Sequence, residues 1–409
     1  MANGSACPRS FFGAFRRGTK KISRKQWRRG SALLQSCVSD NKISHPPLSD
    51  ELEVSIIGPG YGEAVLVHLG DNNWIIIDSC KRPDESVPEP LRYLDQIGVD
   101  PRCVVAVLIT HWDDDHCKGM SQVIQICAHA QIVMSSAFVQ KDFLAFSALY
   151  GSPMTRNVRA GVKEIGETMN GLGAAERPIT SAYPGRRLFT ADDLTTSHGL
   201  PIEVWTLSPS DEEYQNFLAW VAEQMPQPDE TRRVAVKRIR NDLSVVVHMM
   251  IGDDVLLFGG DLEEEGKPGT GWSAIMALPG RPLSKAGMFK VSHHGSANGH
   301  HAGIPTNLLT AAPVAVVAPF KSGKVSLPTP QDVTRICGYA GEAYTTATLQ
   351  GRATSKHDPM VDKTIREVTR RFSTIKADPG MIRLRKKAGS SEDWRVDKFG
   401  TAGPLAKIY

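Results

Sequence analysis

The chain has 409 residues, of which 41% are apolar and 22% charged, ordinary globular proportions that exclude a mainly disordered or fibrous protein. No apolar run approaches the roughly 20 residues of a membrane helix, which excludes a membrane-spanning one. The formal net charge of +4 is uneven: residues 1–45 hold ten Lys/Arg against one acid, Asp40, so residues 46–409 carry a net −5.

The basic stretch lacks the apolar core and cleavage site of a secretory signal. A solvated tail, a nucleic-acid or partner-binding arm centred on residues 9–30, and a mitochondrial transit peptide all fit its composition. Seven scattered cysteines, without a CxxC pair, read as reduced thiols of a cytoplasmic protein.

After His45-Pro46-Pro47 the alternation of Leu52 to Ile57 predicts a strand, ended by Gly58-Pro59-Gly60-Tyr61-Gly62. Strands over Ala64 to Leu69 and Trp74 to Asp78, joined at Gly70-Asp71-Asn72-Asn73, complete a meander. Leu91, Leu94 and Ile97 mark a short amphipathic helix. Val104 to Thr110 is a buried strand that stops at His111, and a helix over Gly119 to Cys127 and a strand over Gln131 to Ser135 follow.

Residues 137–200 show weaker patterning, with helical stretches at Lys141 to Tyr150 and Val158 to Met169, and read as a mainly helical insertion. A strand over Ile202 to Leu207, a helix around Glu212 to Gln224 and a polar linker to Asn241 come next. Further strands are expected at Leu243 to Met250, Val255 to Gly260, Phe289 to Ser292 and Val314 to Ala318. Met381 to Arg385 and Trp394 to Phe399 suggest a terminal hairpin. The organisation expected is a tail over 1–45, an α/β domain over 46–385, and a hairpin segment over 386–409 that completes or flanks the domain.

Thr110-His111-Trp112-Asp113-Asp114-Asp115-His116 puts two imidazoles and three carboxylates in six positions at the end of a buried strand. So many ionisable groups are costly to bury together unless a cation compensates them, and borderline metals accept N and O ligands. If the strand geometry persists, His111, Asp113 and Asp115 project together and His116 turns in beside Asp115. Gly260-Asp261 and Ser292-His293-His294-Gly295-Ser296 supply further strand-end ligands downstream.

His-x-Asp-x-Asp-His, Leu-Phe-Gly-Gly-Asp261 and Val-Ser-His-His-Gly-Ser, in this order, resemble the metallo-β-lactamase superfamily, over roughly residues 52–330. Within it they are similar to the hydrolase domain of competence DNA-uptake proteins and to phosphorylcholine esterases. The resemblance implies a four-layer αββα sandwich with a two-metal cleft, zinc first and manganese as the alternative. Carried over by position, it assigns His111, Asp113 and His294 to one ion, Asp115 and His116 to a second, and Asp261 to a bridge between them. Asp115 would also orient the attacking water, His293 would take a catalytic part by facing the substrate or by supporting the ligands from behind, and Asp78 would brace the metal loop. Two departures stand out. Lys118 replaces a family glycine and is a candidate contact for a substrate anion. Ser326-Leu327-Pro328 replaces a Gly-His-Pro, so the second site is expected to be weak or to borrow His300, His301 or His357.

These implications favour a metal-dependent phosphodiesterase or nuclease acting on nucleic acid or a nucleotide-derived ester. A carboxylic ester, lactone or amide hydrolase of the same fold is the alternative enzyme. A non-catalytic metal-binding interaction protein is the alternative from another class.

Overall fold

The computed structural model describes residues 43, 45–58, 62–82, 85–150, 160–189, 194, 196–225, 241–322, 324–348 and 380–408. The basic residues of the tail, the 226–240 linker and His357 lie outside them.

The first sheet is built around β1 (Glu51–Ile57), β2 (Ala64–His68), β3 (Trp74–Ile77), β4 (Val104–Ile109) and β5 (Gln131–Ser135). β1 to β3 form the expected meander, while β3, β4 and β5 run parallel. Along β3, Trp74 and Ile76 face one apolar layer and Ile75 and Ile77 face another; along β4, Val107 and Ile109 oppose Ala106 and Leu108 in the same way. Both faces of these strands are covered, which is why they read as continuous apolar runs.

The second sheet holds β8 (Ile202–Thr206), β9 (Val247–Ile251), β10 (Asp254–Phe258), β11 (Ala286–Lys290), β12 (Leu309–Val317) and β15 (Glu342–Thr345). Val54, Val67, Ile75 and Leu108 of the first sheet share one core with Val204, Val247, Leu256 and Met288 of the second.

Helices cover the outer faces. Glu89–Gln96 (α1) and Met120–Ile126 (α3) pack on the first sheet through Leu91, Leu94 and Val123, with Asp114–Cys117 (α2) a single turn between them. Lys141–Tyr150 (α4), Ala160–Ala174 (α5) and Asp211–Gln224 (α6) extend that layer. Gly271–Ala277 (α7) and Pro330–Tyr339 (α8) cover the second sheet with Trp272, Ile275 and Ile336. The order of layers is therefore αββα.

The weakly patterned 137–200 stretch is more than helical. It supplies β6 (Ile179–Ala182), the strand beside β5, and β7 (Arg186–Phe189), the strand beside β8, so each sheet takes one edge strand from it. The terminal pair β16 (Met381–Lys387) and β17 (Arg395–Phe399) is a hairpin within the first sheet, with β16 zipped onto β1 along its whole length. β16 bears Arg385, whose guanidinium meets the buried Glu53 carboxylate of β1 at 2.6 Å.

Candidate metal centre

The loops after β3, β4, β10 and β11 meet at one end of the two sheets. Strand geometry does not persist past His111. Asp113 is extended and caps α2, its carbonyl accepting from the His116 and Cys117 amides at 2.9 and 3.1 Å. The helical turn, rather than strand alternation, therefore sets where Asp115 and His116 point. Trp112 fixes the loop from the other side: it is buried among Phe138, Phe143 and Phe217, which leaves its neighbour His111 turned toward the centre.

Asp78 has a positive φ of 60° just beyond β3. Its carboxylate accepts from the Thr110 amide (2.8 Å) and hydroxyl (2.6 Å) and meets His116 Nδ1 at 2.8 Å. His116 is thus held by one ring nitrogen, with Nε2 presented inward.

Across the cleft, Gly259 and Gly260 let the loop after β10 lie against that after β11. A Cβ at Gly260 would strike the Ser244 hydroxyl, which itself accepts from the Asp261 amide at 2.8 Å. A Cβ at Gly259 would sit 2.9 Å from that of Ser292. His293 and His294 follow with φ of 45° and 54°, two consecutive non-glycine residues in the left-handed region, a conformation that persists where the surroundings enforce it.

Four residues converge there: Asp115, His116, Asp261 and His294 offer one ligand atom each within 4.8 Å of one another. Asp261 Oδ2 lies 3.1 Å from His294 Nε2 and 3.2 Å from His116 Nε2, and Asp115 Oδ2 lies 3.1 Å from His294 Nε2. His294 therefore stands with Asp115 and His116, the pair that the sequence resemblance gives to the other ion. His111 adjoins the group, its Nε2 4.0 Å from Asp261 Oδ2. Asp113 is half-buried and outside the convergent set.

His293 sits beside the centre on other partners: Asn241 Nδ2 is 3.2 Å from its Nε2, and Asn298 Oδ1 is 3.0 Å from its Nδ1. Lys118 is exposed at the end of α2. His300 stacks on Tyr339 and His301 Nδ1 accepts from the Gly303 amide, so neither joins the convergent group. Leu327 lies on β14 (Val325–Leu327), paired with Phe320 of β13 (Phe320–Ser322), and the Phe320 ring stacks on His294.

Burial and neighbouring charge pull the three imidazoles of this centre in different directions. Burial alone would lower the His116 pKa, but Asp261, Glu63 and Asp115 outweigh it and hold it well above the ordinary value. His294 is pushed up to about 10, burial again opposing and Asp261 and Asp115 prevailing. His111 is instead pulled down to about 3 by burial and by the neighbouring His116. The buried His111 Nε2 and His116 Nε2 have no hydrogen bond of ordinary geometry. Buried polar atoms left without such partners, with two imidazoles and two carboxylates facing one point, fit a divalent cation in chemistry and in number.

Two residues of this centre escape sequence reasoning. Lys290, the last residue of β11, and Glu63, just before β2, form a fully buried ion pair beneath the convergent group. A lysine interrupting the apolar Met288-Phe289-Lys290-Val291 was the available signal.

Residues 57–142 match the family model of the metallo-beta-lactamase superfamily. The αββα sandwich is a metallo-β-lactamase fold. The match spans β2 to β5 and the whole His111–His116 loop, but neither Asp261 nor His294. Among solved structures, the metallo-beta-lactamase fold protein YhfI from Bacillus subtilis is similar at 12% identity, over 72% of this chain and 96% of that one, with a TM-score of 0.36. A metallo-beta-lactamase from Cronobacter sakazakii aligns at 13% identity over 53% of this chain and 64% of that one, with a TM-score of 0.29. MEM-A1, a subclass B3 metallo-beta-lactamase from a soil metagenome, aligns at 12% over 63% and 83%, with a TM-score of 0.31. At these values the likeness says nothing about substrate. No curated protein sequence matches the chain.

Beside the convergent group opens a cavity of about 400 Å³. Glu213, Phe217, Trp220, Asp242 and Glu263 contribute to its wall. Burial raises Glu213 to about 7, although it accepts from the Ser210 and Gly271 amides. Glu263 connects cavity and centre, lying 3.7 Å from His293 Nδ1.

Proposed function

We propose that this protein is a metal-dependent hydrolase of phosphodiesters, with Asp115, His116, Asp261 and His294 as the principal metal ligands. The convergence of these four donors from three loops carries the proposal. A divalent ion held there supplies Lewis-acid stabilisation of the reacting group and lowers the pKa of water from 15.7 toward about 7. Asp115, half-buried at the rim, accepts a proton or orients water, while Asp78 keeps His116 in register. In this reading His111 and Asp113 would extend the ligand set toward a second ion that shares Asp261; zinc, then manganese, would suit these donors. His293 and Lys118 are assigned to the substrate side. Resemblance of the three motifs to DNA-uptake hydrolase domains supports a phosphodiester substrate, and the basic stretch 9–30 would contact a nucleic acid.

One observation favours a second reading. The cavity next to His293 is lined with carboxylates, which repel a polyanion and admit a neutral acyl, lactone or amide substrate. A panel of metal-loaded assays on bis(p-nitrophenyl) phosphate, DNA, RNA, cyclic nucleotides, lactones and β-lactams separates the two. Turnover of phosphodiesters in preference to acyl substrates is expected; acyl turnover alone would reverse the order, and metal binding without any turnover would leave a binding protein.

A further inference from the structure

Beneath the four convergent donors the protein buries a second charged layer. Glu63 Oε1 pairs with Lys290 Nζ and lies 3.6 Å from His116 Nδ1, while Glu63 Oε2 lies 3.8 Å from His294 Nδ1. One carboxylate therefore lies behind two imidazoles, beyond hydrogen-bond distance of outward nitrogens that bond instead to Asp78 Oδ2 at 2.8 Å and to the Ala318 carbonyl at 2.9 Å. The Glu63 amide also donates to the Asp115 carbonyl at 2.8 Å.

Lys290 closes the layer from the other sheet. Its ammonium donates to the Gly260 carbonyl at 2.9 Å and stands 3.7 Å from Asp261 Oδ1. Asp261 thus turns Oδ1 toward a lysine and Oδ2 toward the imidazoles of His111, His116 and His294. Both Glu63 and Lys290 are at most 2% exposed. Replacing such a pair with apolar residues is often neutral or stabilising, so stability alone is a weak reason for its presence.

We propose that Glu63 and Lys290 are positioning residues of the metal centre, Glu63 backing the imidazoles of His116 and His294 and Lys290 reserving Asp261 Oδ2 for the ion. The inference rests on the metal-centre reading above and extends it to residues that touch neither ion nor substrate. Supporting groups of this kind typically contribute about 10–100-fold to metal affinity.

The test is cobalt(II) titration of the full-length chain, followed by calorimetry and by the visible absorption of the bound ion. Glu63→Gln combined with Lys290→Met removes both charges together and avoids leaving one of them buried alone. Glu63→Asp keeps both charges but withdraws the carboxylate by one methylene. Both variants are expected to bind cobalt roughly 10–100-fold more weakly than the parent, with an altered spectrum, while the metal-free chains unfold cooperatively. Should the double variant fail to fold, Glu63→Asp decides by the same two readouts. A folded variant that keeps the parent's affinity and spectrum would overturn the positioning role. A parent chain that takes up no cobalt would overturn the metal-centre reading instead.

Discussion

Asp261 faces imidazoles with one oxygen and an ammonium with the other, so its removal subtracts a ligand and also strands Lys290. Asp261→Ala is expected to lose most bound metal and nearly all activity, beyond the roughly 100-fold that a supporting residue accounts for. Elemental analysis of the dialysed variant checks this, and full occupancy would refute the ligand assignment. The imidazoles make a separate prediction. His294 is raised to about 10 in the metal-free fold against 6.5 for an unperturbed histidine, with burial opposing and Asp261 prevailing. A raised base stabilises the fold fully below its unfolded pKa and loses that contribution as pH climbs to the folded one. With chelator present, thermal stability should therefore fall between about pH 6.5 and 10. Metal binding displaces the same protons, so affinity should rise with pH over the lower part of that window, measurable as proton release in calorimetry.

Single elements carry the next layer of consequence. Asp78, in the turn after β3, satisfies three groups of the neighbouring β4 loop, two of them on Thr110. Asp78→Ala should cost about 3 kcal/mol in urea unfolding, since a buried amide, hydroxyl and imidazole lose an ionised acceptor together. The β13–β14 hairpin sets Leu327 opposite Phe320, which stacks on His294. If this loop stands where relatives carry a ligand histidine, native titrations should show two separated steps and Leu327→His should tighten the weaker one; two equally tight native steps would refute it. The strands bearing the His111–His116 loop and Asp261 were legible because both faces of β3, β4 and β10 are buried and their ligands follow directly in sequence. β6 and β7 were not, because their side chains are largely half-exposed and no apolar run marks them. The start of β12 was missed for a similar reason, its Thr310, Ala311 and Ala312 being exposed. The Glu63–Lys290 pairing escaped because partners more than two hundred positions apart share no local pattern, and the lysine within an apolar run was the one hint.

At the scale of the whole molecule, charge is segregated. Residues 46–409 carry a net −5 while residues 1–45 hold ten basic residues, so attraction to a polyanion should depend on the tail. Each phosphate neutralised adds roughly −0.9 to the slope of log affinity against log salt on duplex DNA. Deleting residues 1–45 should weaken nucleic-acid binding and flatten that slope, yet leave turnover of a small diester unchanged because every proposed ligand remains. Unaltered affinity and slope in a filter-binding series would remove the tail from substrate recognition.

The four convergent donors are divided evenly between the two sheets: Asp115 and His116 follow β4, whereas Asp261 and His294 follow β10 and β11. Asp115 and His294 are 179 positions apart in the chain. An ion shared by them would be in effect a reversible cross-link, closing a long loop of polypeptide and clasping the sandwich at the end where these loops meet. Long closures restrict the unfolded chain most, and free metal at about a thousand times its dissociation constant would add roughly 4 kcal/mol to the native state. Resistance of the intact chain to proteolysis should accordingly follow the metal content of its surroundings, making the proposed metal centre a fastener of the fold as well.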